Sequence, residues 1–128
     1  MRTGENNKSK ILIIEDETAL LELLSDKFTD SGFRVFSSET GEEGMRLALS
    51  KHPDIILLDI ILPKMDGLTM LKKLRLDKWG KEVPVIILSN LNDQEKVSEA
   101  MRIGVYDFLV KSNVKLTDMV EEVREALS

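Results

Sequence analysis

The segment DIILLDIILPKMDG, residues 54–67, places one carboxylate, Asp59, inside a run of isoleucine and leucine. A short apolar run of this kind predicts a buried β-strand. An ionised carboxylate is costly to bury without a compensating partner. Asp59 is therefore either satisfied by a loop at the end of its strand or located at the mouth of a site. Residues 63–67 have the composition of a turn and indicate that a helix begins soon after the strand.

Four further segments have the length and composition of strands: KILIIED (10–16), FRVFSS (33–38), VPVIILSN (83–90) and YDFLVKS (106–112). The stretches between them carry apolar residues at helical spacing and predict five helices. Thr40 is expected to cap the second helix, and Gly32 and Gly104 are expected to end the first and fourth. The predicted core faces are Leu20, Leu23, Leu24 and Phe28; Met45, Ala48 and Leu49; Leu68, Leu71 and Leu74; Val97, Ala100 and Met101; and Leu116, Met119, Val120, Val123 and Leu127.

Alternating strands and helices predict an α/β fold with a doubly wound, parallel sheet and helices on both of its faces. The strands are apolar throughout rather than at alternate positions, as expected when both faces of a sheet are covered. The length of 128 residues suits one domain. We predict that residues 1–9 form a flexible polar tail and that residues 10–128 form the domain.

Composition excludes several classes of function. The net charge of −5 gives no reason to expect a nucleic-acid or membrane partner. Because the chain has no cysteine and a single histidine, disulfides, thiolate metal sites and histidine metal sites are excluded. The sequence contains neither an apolar segment long enough to cross a bilayer nor a signal peptide, which predicts a cytoplasmic protein.

Polar side chains follow most of the predicted strands. Glu15 and Asp16 end the first strand, Asp59 the third, Ser89 the fourth and Lys111 the fifth. Ligands of open parallel sheets bind outside the carboxyl ends of the strands, so these groups are expected to converge. Carboxylates are typical ligands of Mg²⁺, and a carboxylate can also be a nucleophile that forms an acyl phosphate. The lysine and the hydroxyl would neutralise charge on a transferring phosphoryl group.

Each residue also has an ordinary structural explanation. Asp59 can be a turn residue, and the Glu15–Asp16–Glu17 segment and Ser89 can be helix caps. Lys111, taken alone, is most simply a solvated surface charge. The same reasoning assigns Asp66 and Gly67 only to a turn and a helix start. The convergence of complementary groups from four strands is what favours a site.

Four motifs, IIEDE, PDIILLDIILPKMDG, VPVIILSN and GVYDFLVKS, occur in this order within residues 10–127. In sequence and spacing the chain resembles the receiver domain of two-component response regulators, including chemotaxis receivers. The resemblance implies a flavodoxin-like fold with strand order 2-1-3-4-5. It also implies that the chain is a signalling domain that takes part in a phosphorelay, and not an enzyme.

The resemblance assigns a role to individual residues. It implies that Asp59 accepts a phosphoryl group from a sensor histidine kinase or a phosphotransfer protein. Glu15, Asp16, Asp59 and the backbone carbonyl of Ile61 are expected to hold Mg²⁺. Lys111 is expected to pair with the phosphoryl group. Ser89 and Tyr106 match the switch residues of the family, which alter the surface formed by the fourth helix, fifth strand and fifth helix. A downstream protein or a second copy of the chain would bind that surface.

Two residues depart from the family pattern: Ser112 stands where a proline usually follows the lysine, and Asn90 stands where a small residue usually follows the switch hydroxyl. Two other functions remain as alternatives. One is an interaction module with the receiver fold that works without phosphorylation. The other is a small Mg²⁺-dependent phosphohydrolase, although Ile61 occupies the position at which such enzymes usually carry a second acid.

Overall fold

The computed structural model describes residues 8–128. Most of the predicted tail, residues 1–7, lies outside the described residues. Strands and helices alternate as predicted: β1 (Lys10–Ile14), α1 (Thr18–Asp30), β2 (Arg34–Ser38), α2 (Gly41–Lys51), β3 (Ile55–Asp59), α3 (Gly67–Leu76), β4 (Val85–Ser89), α4 (Gln94–Ile103), β5 (Asp107–Val110) and α5 (Leu116–Leu127).

The five strands form one parallel sheet in the order β2-β1-β3-β4-β5. The parallel sheet confirms the α/β fold that the sequence predicts, and the strand order confirms the one that the family resemblance implies. β3 is the central strand, and all of its residues are buried. Because the strands are parallel, the ends of β1, β3, β4 and β5 lie along one edge of the sheet.

Alternate residues of each strand supply two separate cores, one on each face of the sheet. Leu12, Ile56 and Leu58 pack with α3 on one face. Ile11, Ile55 and Leu57 pack with α1 and α5 on the other. Burial on both faces accounts for the continuous apolar composition of the strands.

The prediction that three helix residues belong to the core is wrong. Leu23, Leu49 and Met101 are exposed, whereas their neighbours Leu24, Ala48 and Ala100 are buried. Consecutive residues of a helix point about 100° apart, so a narrow contact with the sheet buries only one of each adjacent pair. The face of α1 is formed instead by Leu21, Leu24 and Phe28 at helical spacing.

The predicted helix signals are confirmed in the structure. The Thr40 hydroxyl accepts a hydrogen bond from the N–H of Glu43 at 3.2 Å, which caps α2. Gly32 and Gly104 follow α1 and α4 with φ of 96° and 121°, values that glycine adopts without steric cost.

The turn between β3 and α3 folds back tightly on the end of β3. Asp66 caps α3 by accepting a hydrogen bond from the N–H of Thr69 at 2.9 Å, which confirms the turn and helix start predicted there. The N–H of Gly67 donates to the carbonyl of Ile60 at 3.1 Å. A Cβ atom at residue 67 would overlap the carbonyl oxygen of Asp59, so only glycine fits at this position.

Candidate functional site

The carboxyl edge of the sheet brings together the acidic residues that the sequence places at two strand ends. Asp59 is the last residue of β3, and Glu15 and Asp16 follow directly after β1. One carboxylate oxygen from each of the three residues lies within 4.8 Å of the others. The side chains of Glu15 and Asp59 are buried, and Asp16 is exposed. The arrangement is a carboxylate cluster that is open to solvent on the side of Asp16.

Lys111, which follows β5, supplies the positive charge next to this cluster. Its Nζ lies 2.8 Å from Asp59 Oδ2 and 2.8 Å from Glu15 Oε1. It also lies 3.1 Å from Glu17 Oε1. The side chain is only 11% exposed, so Lys111 is not the solvated surface charge of the ordinary explanation. The ammonium compensates two buried carboxylates that would otherwise be costly to bury.

The three buried groups have shifted pKa values. Burial raises the pKa of Glu15 to about 7, and the negative charge of Asp59 adds to the effect. Burial likewise raises the pKa of Asp59, although hydrogen bonds from Lys111 and from the Ile61 N–H oppose the shift. Burial lowers the pKa of Lys111, but the adjacent carboxylates of Asp59 and Glu15 outweigh this effect, so the pKa of Lys111 lies above its usual value. The ionised cluster is therefore short of positive charge.

The residues present fit a hard divalent cation. The donor set consists of carboxylate oxygens, the ligands that Mg²⁺ prefers. Glu15 Oε1 is buried and, although close to Lys111, accepts no well-aligned hydrogen bond. The Ile61 N–H donates to Asp59 Oδ1 at 3.1 Å, which fixes the start of the following loop beside the cluster. A buried carboxylate oxygen that lacks an aligned donor is available to coordinate a cation.

We expect the metal-free protein to lose stability as the pH rises through the range over which Glu15 titrates. In the unfolded chain Glu15 loses its proton near 4.5, whereas in the folded protein it holds the proton to about pH 7. Between these values the folded state binds more protons, so the free energy of unfolding falls with rising pH, by at most about 3 kcal/mol. Below this range the contribution of Glu15 is constant.

Urea unfolding in EDTA at several pH values between 4.5 and 7 measures this effect. Glu15→Gln should flatten most of the slope, and Glu22→Gln, which changes an exposed carboxylate on α1, should keep it. Equal slopes in the wild type and Glu15→Gln would show that Glu15 does not carry the pH dependence.

Ser89 and Tyr106 lie at opposite ends of the pairing between β4 and β5: Ser89 is at the carboxyl edge beside the site, and Tyr106 is at the amino edge. Ser89 is fully buried, and its Oγ is 3.5 Å from the carbonyl of Leu109, a long hydrogen bond. It is not a helix cap, because α4 has Asp93 as its N-cap. Tyr106 precedes β5 and is about half exposed, and its N–H donates to the carbonyl of Val85 at 2.8 Å.

The two departures from the family pattern leave the backbone beside the site regular. Within residues 8–128 every peptide bond is trans, including the bond between Lys111 and Ser112. The side chain of Asn90 is exposed, and its N–H donates to Asp93 Oδ2 at 3.0 Å. Asn90 therefore takes part in the turn that leads into α4.

The structure adds one residue that the sequence analysis did not assign to the site. Glu17 contacts Lys111, which lies 94 positions away in the chain. Glu17 stands next to Glu15 and Asp16 in the sequence, and this proximity is the signal that could have identified it. As the N-cap residue of α1 it makes no capping hydrogen bond with its side chain, so its carboxylate is free to reach the lysine.

Comparisons with known proteins agree with the fold. A sequence model of the response regulator receiver domain matches residues 11–124. The DNA-binding dual master transcriptional regulator RpaA of Synechocystis is 34% identical over 118 residues, which cover 92% of this chain and 48% of RpaA. The probable C4-dicarboxylate response regulator DctR of Bacillus subtilis is 37% identical over 120 residues, which cover 92% of this chain and 50% of DctR.

A solved structure of the receiver domain of NtrX from Brucella abortus has a TM-score of 0.83 and 26% identity, and the match covers 91% of this chain and 97% of that chain. The chain spans about half the length of the curated relatives it matches. None of the helices within residues 8–128 has the length and apolar character needed to cross a membrane.

Proposed function

The chain belongs to the receiver-domain family of two-component response regulators, and from this premise we propose that it accepts a phosphoryl group on Asp59 from a histidine kinase or a phosphotransfer protein. The receiver unit would comprise residues 10–128. The observation that carries the proposal is the contact between a buried strand-end carboxylate and a buried ammonium, Asp59 Oδ2 to Lys111 Nζ at 2.8 Å, beside two further carboxylates.

The geometry supports transfer by direct attack. The Asp59 carboxylate would attack phosphorus, an O–P bond would form, and the P–N bond of a donor phosphohistidine would break with its electron pair remaining on the imidazole. Lys111 would then pair with a phosphoryl oxygen, and the Ser89 hydroxyl would donate a hydrogen bond to another. Mg²⁺, held by Glu15, Asp16, Asp59 and the carbonyl of Ile61, would supply charge neutralisation at the phosphoryl oxygens.

Intact-mass measurement after incubation with acetyl phosphate and Mg²⁺ tests the proposal. We expect a gain of one phosphoryl group. An interaction module that works without phosphorylation would gain none. A phosphohydrolase would instead turn over varied phosphate esters, and the absence of a second acid at Ile61 argues against that activity.

We further propose that phosphorylation changes the surface formed by α4, β5 and α5. α4 buries Val97 and Ala100 and is joined to α3 by the partly exposed ion pairs Lys72–Glu99 at 2.8 Å and Lys96–Asp66 at 3.2 Å. Ion pairs that are accessible to solvent contribute little stability, so breaking them during a movement of α4 would cost little free energy. We propose that the long hydrogen bond of Ser89 is exchanged for one to a phosphoryl oxygen and that Tyr106, half exposed at the end of β5 far from the site, then turns inward.

Backbone chemical shifts recorded with and without beryllofluoride, a phosphoryl mimic, measure this change. We expect large shifts throughout residues 89–125, where a downstream protein or a second copy of the chain would bind. Changes confined to the loops around Asp59 would contradict this route and favour direct recognition of the site mouth.

The remaining proposals concern location and other partners. The net charge of −5 favours neither nucleic acid nor a membrane as a partner of this domain, and we propose a cytoplasmic location. RpaA is described as DNA-binding, and the match covers 48% of that protein. We propose that the receiver unit itself does not contact DNA.

A further inference from the structure

The ammonium of Lys111 faces three carboxylates, and the contacts are not equivalent. Asp59 Oδ2 at 2.8 Å and Glu17 Oε1 at 3.1 Å accept aligned hydrogen bonds. Glu15 Oε1 is equally close, at 2.8 Å, but its geometry does not give a hydrogen bond. A lysine ammonium has three N–H donors. By hydrogen-bond geometry, Glu17 is therefore the second partner of Lys111 after Asp59.

Glu17 differs from the other two carboxylates in exposure and in what else it can bind. Its side chain is 63% exposed, against 0% for Glu15 and 3% for Asp59. Glu15 and Asp59 belong to the carboxylate cluster that fits a cation, and Glu17 does not. If a cation is coordinated by Glu15 and Asp59, Glu17 is the carboxylate that remains available to Lys111.

The backbone of Glu17 is fixed at the start of α1. Its N–H donates to Glu15 Oε2 at 3.0 Å, and its carbonyl accepts a hydrogen bond from the N–H of Leu21 at 2.9 Å. The carboxylate therefore stays within reach of the lysine while only the side chain moves. A shorter side chain at the same position would keep the charge but withdraw it from Lys111.

We propose that Glu17 is a positioning residue that competes with the phosphoryl group on Asp59 for the ammonium of Lys111. The contact restrains Lys111 at the mouth of the site and weakens its pairing with the phosphoryl oxygens. The inference rests on the function proposed above. It assigns to this chain a residue that sets how tightly a phosphoryl group is held.

Calorimetric titration with beryllofluoride at saturating Mg²⁺ tests the proposal through binding rather than turnover. Glu17→Ala removes the carboxylate, and Glu17→Asp keeps its charge but shortens the side chain. We expect both variants to bind beryllofluoride about two- to fivefold more tightly than the wild type, the range that corresponds to losing one exposed ion pair. Glu39→Gln is the matched control, because Glu39 is an exposed carboxylate that contacts Thr18 at the start of α1. Its affinity should not change.

Three results would overturn the proposal. Tighter binding by Glu17→Ala with wild-type binding by Glu17→Asp would show that only the local negative charge matters. Unchanged binding by both would show that the contact has no effect. In a Lys111→Met background, Glu17→Asp should have no effect, and a persisting effect would also contradict action through Lys111. A wild-type chain that binds no beryllofluoride in Mg²⁺ would instead refute the proposed function, so the two failures are distinguishable.

Discussion

Asp59→Asn is expected to abolish phosphoryl labelling of the chain by acetyl phosphate in the presence of Mg²⁺. The substitution keeps the shape of the side chain but replaces the nucleophilic carboxylate with an amide, which cannot form an acyl phosphate. Because Lys111 still contacts Glu15 and Glu17, the ammonium keeps two partners and the fold should be retained. Intact mass measures labelling, and circular dichroism measures folding.

Asp26→Asn is the control, since it changes an exposed aspartate on α1 and should leave labelling at the wild-type level. Labelling of Asp59→Asn at the wild-type level would show that another residue accepts the phosphoryl group. Peptide mapping of the labelled protein would then identify that residue.

Saturating Mg²⁺ is expected to stabilise the protein by mass action, by about 2.7 kcal/mol when its concentration is a hundred times the dissociation constant. The cation would relieve the repulsion among Glu15, Asp16 and Asp59. Asp16→Ala removes the exposed member of this cluster and should weaken Mg²⁺ binding by about tenfold or more, the range found for groups that support a metal site. Thermal unfolding at several Mg²⁺ concentrations measures both effects.

Glu22→Gln makes the same change in net charge on an exposed face of α1 and should keep the wild-type response to Mg²⁺. If Asp16→Ala retains the wild-type affinity, the proposed cation site is wrong. If the wild type does not respond to Mg²⁺ either, the prediction that the metal stabilises the protein is wrong as well.

The sequence predicts the fold because apolar strand segments and helix-boundary residues are signals that can be recognised locally. Continuous runs such as residues 55–58 indicate burial on both faces, and Thr40 and Gly104 mark helix boundaries that the structure confirms. The sequence predicts less reliably which face of each helix packs against the sheet. Where two apolar residues are adjacent, as in Leu23 and Leu24, periodicity cannot decide which one meets the sheet, because that depends on the rotation of the helix in the tertiary structure.

For the site, the sequence predicts only which residues the topology of the sheet brings to the same edge. A parallel sheet gathers strand ends, which is enough to place Asp59 and Lys111 on one edge. The contact of Lys111 with Glu17 depends on side-chain reach across that edge, and no spacing rule encodes it. The roles of Ile61 and Tyr106 have no physical signal in the sequence and come from the family resemblance; they stay predictions.

The position of Lys111 after the last strand has a consequence for the growing polypeptide. A nascent chain that ends before β5 already contains β1 and β3, and with them the carboxylates that meet at the sheet edge. Its counter-charge has not yet been synthesised. Until Lys111 leaves the ribosome, these carboxylates can be neutralised by protons or by cations from the medium, but not by the lysine. Translation pauses before β5 should therefore make cotranslational folding sensitive to divalent cations.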